Sequence, residues 1–202
     1  MRNLTDNLLP DQIEGTQLDV SEVRTFSSLT QAQQCFNIAA KKLLDVNNWG
    51  KISGLSDFQL HDQTGSPLFR LAREGDFIRI NIPGPGPRSG DGFDWVIVEK
   101  IQHENDGDVD FILMQVRPSI NPTRDEKTIA HFLNSKATSS FIIRRNRIKV
   151  HAEEHARNEK ANIAEGGFMD KGRNLIVGLA AKLGLSYPQW KLLVKSFLDG
   201  KC

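Results

Sequence analysis

The sequence predicts an α+β domain in which a curved antiparallel sheet of about six to eight strands packs against N-terminal and C-terminal helices. Three observations carry this prediction. Between 55 and 118 apolar residues alternate with period two, and Gly, Pro and Asn clusters interrupt them at short intervals, as in a meander. The longest stretches of helical spacing lie toward the chain's two ends, around 29–45 and 170–198. The strand pair 93–102 and 109–116 is joined through Asn105-Asp106-Gly107, a hairpin signal.

Each element follows from its residues. Residues 1–17, with Pro10 and Gly15, read as a flexible lead-in to a single domain spanning 18–202. Apolar residues at 18, 20, 23 and 26 suggest a short strand. Ser28 and Gln31 have capping-box spacing, and Ala32, Cys35, Phe36, Ala39 and Leu43 then fall on one face of a helix over about 29–45. Lys41 and Lys42 suit its last turn, and Asn47-Asn48-Trp49-Gly50 ends it. Strands are expected at 58–62, 68–72 and 77–82, the last with Ile78, Ile80 and Ile82 on one face and Arg79 and Asn81 on the other. The Pro/Gly-rich run 83–92 must be a loop.

Thr123 and Glu126 repeat the capping-box spacing, which predicts a short helix to about Asn134 with Ile129, Phe132 and Leu133 buried. A hairpin over 139–155 is expected to turn at Arg145-Asn146, with a polar loop over 158–167 and a hinge at 166–169. Helices at 170–183 and 186–198 break at Gly184, and Trp190, Leu193, Val194 and Phe197 line one face of the second.

Composition excludes several classes. Hydrophobic residues are 39% and charged residues 25% of 202, the profile of a globular chain. There is no apolar run long enough to cross a membrane as a helix, and no apolar leader with a small-residue cleavage site. Lys and Arg number 26 against 25 Asp and Glu, so nucleic acid is not expected as a general partner. Two cysteines, Cys35 and Cys202, make no disulfide framework, and the cytoplasm is the default location. No repeat of solenoid length is present.

The order of helix, Trp, antiparallel strands and C-terminal helix resembles the START-like, or helix-grip, superfamily, which includes lipid-transfer domains and polyketide cyclases. The resemblance is architectural and spans about 18–198. It is carried by Leu43-Leu44-Asp45 at the end of the first helix and by Asn48-Trp49 before the first meander strand. It implies a curved sheet gripping a C-terminal helix, with a cavity between them for apolar ligands. The break at Gly184 and an added helix at 121–134 depart from the simple pattern.

Four segments invite a chemical reading. His151-Ala-Glu-Glu-His155 matches the inverted zinc-protease pattern, whose two imidazoles and one carboxylate must share a helix face. Ile148, Val150 and Ala152 alternate instead, which predicts a strand with His151, Glu153 and His155 on one face and Val150, Ala152 and Glu154 on the other. These three polar residues are then candidates for metal-independent acid–base work at a cavity mouth, with Arg157 as an anion anchor beside Arg144, Arg145 and Arg147. The plainer reading is a polar row and salt-bridged strand ends.

The 82–92 loop lacks the Gly-Lys-Ser/Thr ending of a phosphate loop, and its prolines remove backbone donors. It fits a connector or a stiff lid. Residues 175–198 resemble a helix-turn-helix in a basic region, six Lys or Arg against two Asp over 170–202, which would bring Tyr187, Gln189 and Lys191 to DNA. His131, Trp49, Trp95, Trp190 and Cys35 read as core.

The strands 93–102 and 109–116 are apolar on both faces, with Trp95 and Ile97 against Val96 and Val98, and Phe111 and Leu113 against Ile112 and Met114. Both faces must therefore be covered, one by 170–198 and the other by a pocket or an oligomer interface. The candidate ligand-binding residues are accordingly Trp95, Phe111, Leu113, Met114 and Arg157. The expected function is binding of a small apolar or amphipathic ligand, without metal or cofactor. A cyclase- or hydrolase-like enzyme on the same scaffold, and a DNA-binding or interaction module, are the alternatives.

Overall fold

Seven strands form one antiparallel sheet, with residues 8–54, 56–82, 86–162 and 188–200 described by the computed structural model. In chain order they are β1 (Thr16–Thr25), β2 (Asp57–His61), β3 (Phe77–Asn81), β4 (Asp94–Asp106), β5 (Val109–Pro118), β6 (Thr138–Asn146) and β7 (Lys149–Glu159). Strands β2 to β7 are a meander in which each pairs with its chain neighbour, and β1 closes onto β7 at the far edge. Among the described residues three helices accompany the sheet: α1 (Leu29–Leu44), the short α2 (Trp49–Ser53) and α3, described over 188–198.

Helix α1 forms where its spacing predicts. Ser28 is extended and its hydroxyl accepts the Gln31 amide, and Ala32, Cys35, Phe36, Ala39 and Leu43 are buried. Helix α3 lies on the same inner face and buries Leu193, Val194, Phe197 and Leu198 in the main core. Its C-terminal carbonyls are held by two cations: Lys42 Nζ donates to the oxygens of Ser196, Phe197 and Asp199, and Arg24 donates to that of Leu198. Cations at this end also complement the helix dipole. Trp49 meets Phe58, Phe141 and Phe197 with ring centroids 5.0–6.0 Å apart, joining α2, the sheet and α3. This is the helix-grip arrangement that the START-like resemblance implies.

The chain itself covers the outer face. Leu8 and Leu9 pack on Phe111, Leu113 and Ile142, and Ile120 and Ala130 pack over Phe77, Trp95 and Ile97. On this face two of the chain's own segments provide the cover. Residues 8–15 reach this position because Asn158 binds their backbone: its Oδ1 accepts from Ile13 and Glu14, and its Nδ2 donates to Asp11. Residues 1–7 of the expected lead-in lie outside the described residues, as do the 170–183 helix, the 166–169 hinge and the Gly184 break.

Three local expectations are corrected. No helix forms over 123–134, because long-range bonds claim its backbone. The Ala130 amide donates to Ser119, Trp95 donates to Ala130, the Phe132 amide donates to the Asp94 carboxylate, and Asn134 donates to Lys160. Phe132 and Leu133 are buried nonetheless. Residues 68–72 make no strand. Only a bridge pairs Pro67 with His61, and the Ala72 amide turns away to the Leu44 carbonyl. The β6–β7 turn falls after Asn146, with Arg147 at φ 53°.

Candidate functional site

Strand β7 decides where the polar residues go. It is a strand throughout, as the Ile148–Ala152 alternation predicts, and pairs with β1 and β6 in unbroken register from Lys149 to Ala156. His151, Glu153, His155 and Arg157 therefore face outward, and Val150, Ala152, Glu154 and Ala156 face the core. A zinc-protease arrangement needs the three HxxEH groups on one helical face, and this strand separates Glu154 from both histidines. Among the described residues no three His, Cys, Asp or Glu side chains group to hold a metal ion.

The outer row is a closed ionic lattice. His155 Nδ1 lies 2.6 Å from Asp19 Oδ1 and its Nε2 lies 3.1 Å from Glu153 Oε2. Arg144 bonds the other Glu153 oxygen at 3.0 Å, and Arg157 bonds Asp19 at 2.7 Å. Burial opposes the charge on His155, but the two carboxylates outweigh it and raise the imidazole pKa. Burial likewise opposes the charge on Glu153, and the bonds from His155 and Arg144 prevail and lower its pKa. With both ring nitrogens engaged, His155 has no free lone pair to act as a base. Burial lowers the pKa of His151, with the Arg144 charge adding to it. Arg145, expected in the same charged neighbourhood, is buried in an ion pair with Asp110 at 2.7 Å. The lattice joins β1, β7 and β6.

The inner row ends at a partly enclosed cavity. Asn158 adopts φ 59°, and the β1–β7 register shifts between Thr16/Glu159 and Leu18/Ala156. The extra residue reverses the strand's parity, so that Glu159 lines the inner side. There a cavity of about 50 Å³ is bounded by Ile80, Ile82, Val96, Val116 and Pro118 of the sheet, by Phe132, Leu133 and Ala137 of the segment before β6, and by Gln189 and Trp190 of α3. Its polar wall comprises His131, Thr138, Ser139 and Glu159. His131 Nδ1 accepts the Leu133 amide, and Gln189 accepts the Ser56 hydroxyl. Thr138 Oγ1 is buried with no hydrogen-bond partner among the described residues. Neither oxygen of the fully buried Glu154 makes a well-formed hydrogen bond among the described residues, and the nearby Ser139 only partly offsets the cost of its burial. Burial, reinforced by repulsion from Glu159, pushes its pKa well above the carboxylate range. Burial also raises that of Glu159.

The residues expected to bind ligand are spread over both faces of the sheet. Trp95, Phe111 and Leu113 lie on the outer face under the chain's own segments, Met114 is inner core, and Arg157 belongs to the outer lattice. None of the five lines the cavity. Ile82, at the edge of the Pro/Gly loop, does. In the helix-turn-helix segment, the described half commits its apolar face to the core and buries Gln189. Glu154 and Glu159 were not foreseen as site residues. Glu154 carries a readable signal, an acid in the apolar row Val150, Ala152, Glu154, Ala156. Glu159 carries none, since only the bulge turns it inward.

No known protein-family profile matches the chain, and no curated protein is significantly similar to it. Solved structures do align. A hypothetical protein from Helicobacter pylori is 11% identical over 88% of this chain and 86% of its own, with a TM-score of 0.44. A major latex-like protein from Panax ginseng is 12% identical over 85% and 98%, at 0.38. An aromatase/cyclase from Streptomyces sp. R1128 is 10% identical over 90% and 94%, at 0.33.

Proposed function

We propose that the chain binds a small apolar or amphipathic molecule between the inner face of its sheet and the N-terminal end of α3. The observation that carries this is the cavity itself: a mostly apolar wall with a few convergent polar groups, the usual make-up of a small-molecule site. Its free volume of about 50 Å³ is well below the roughly 300–1,000 Å³ of typical ligand pockets. Occupation therefore requires a wall to move, and Trp190 is the candidate. It is half-buried, whereas the far end of α3 is pinned by Lys42 and Arg24.

Calorimetric titration with 1-alkanols of increasing length tests this. Each added methylene should strengthen binding by about 0.8 kcal/mol, roughly fourfold, until the cavity is full. Val116→Phe and Val96→Phe, which fill the same space, should each weaken binding. Affinity that is indifferent to chain length and to both substitutions would contradict the proposal.

A further inference from the structure

Among the described residues, no Lys or Arg lines the cavity. Glu159 is 9% exposed and no ion pair or side-chain hydrogen bond engages its carboxyl among the described residues. The cations around it are committed elsewhere: Lys136 and Lys160 to Glu14, and Arg157 to Asp19. Glu154 stands close enough for the two acids to repel each other. A buried carboxyl with neither counter-ion nor donor is costly, and such costs concentrate at functional sites. Thr138 Oγ1, 3% exposed and without a partner among the described residues, adds a second acceptor on the same wall.

We infer that the ligand of this cavity is an amine with an apolar tail, whose ammonium group pairs with Glu159 and donates to Thr138 while the tail lies against Ile80, Val96, Val116 and Trp190. The inference rests on the reading of the cavity as a ligand site and adds the head group. An ammonium is donor-only and positive, which suits the Glu159 carboxyl and the Thr138 hydroxyl oxygen. A carboxylate ligand would meet like charge, and an alcohol would leave Glu159 without a counter-ion.

The test compares 1-hexylamine, 1-hexanol and hexanoate at pH 7 by calorimetry on the full chain. The amine should bind at least tenfold tighter than the alcohol, with hexanoate weakest. In Glu159→Gln the ratio of amine to alcohol affinity should fall close to one. Equal binding of amine and alcohol to the wild-type protein would overturn the inference and leave the apolar site standing, as would an amine preference that survives Glu159→Gln. Failure of both amine and alcohol to bind would overturn the site and the inference together. The wild-type ranking decides the matter even if the variant does not fold.

Discussion

Glu153 and Glu154 are adjacent residues of one strand, yet they live in opposite electrostatic worlds. Glu153 faces outward, receives bonds from Arg144 and His155, and is held ionised. Glu154 faces inward, has only Ser139 nearby to favour its charge, and burial and Glu159 raise its pKa well above the usual value. The difference is the pleat alone. It teaches that the chemically richest row of this sequence, His151 to Arg157, is tied up in ion pairs, whereas the cavity lies on the row that reads as mostly apolar.

Both faces are buried, so polar intrusion on either should cost the most. Leu113→Asn on the outer face and Met114→Asn on the inner should each lower stability by about 3 kcal/mol or more in urea denaturation, since both side chains are fully buried. A Leu113→Asn protein as stable as the parent would mean that Leu8 and Leu9 do not cover this face.

The paired acids should respond with opposite signs. Glu153→Leu strands Arg144 and His155 and should destabilise by about 1–3 kcal/mol. Glu154→Leu removes an unsatisfied buried acid and should stabilise by about 1 kcal/mol or more. Midpoint shifts of the same sign would erase the distinction between the faces.

Titration should give the smallest effect. His155 has a raised pKa, so its contribution is complete below the unfolded value of about 6.5 and is lost as pH rises through the folded value. Glu154 behaves alike from its lower reference: protonated in the fold, it contributes fully below about pH 4.5, and that contribution is lost as pH rises through its folded pKa. Asp19 and Glu153, with lowered values, contribute above their unfolded pKa values and lose this as pH falls. Stability of the wild-type protein should therefore decline from pH 6.5 upward, and His155→Gln should flatten that decline. An unchanged slope in the variant would show that His155 is not the titrating group.

Much of the fold was legible because it is written in local periodicity. The Ser28-capped helix, the β4–β5 hairpin and the strand character of 147–155 all follow from spacing within a few residues. The 123–134 segment was not, because its capping-box pattern is overruled by backbone bonds to Ser119, Asp94 and Lys160, partners remote in sequence. Which residues line the cavity is not legible for a related reason. Alternation shows that Trp95 and Val96 face opposite ways, but which way is inward depends on where α1, α3 and residues 8–9 settle. Glu159 was invisible because one positive φ at Asn158 reverses the parity that the upstream residues establish.

The central claim is that ligand enters the inner cavity and leaves the outer row untouched. A heteronuclear NMR titration with 1-hexanol tests it most directly. The account predicts that shifts concentrate on the Trp190 indole and on the amides of Val116, Thr138, Ser139 and Glu159, with Glu153, His155 and Leu113 unmoved. Shifts centred on the His155 lattice or beneath Leu8 and Leu9, with Trp190 silent, would contradict it.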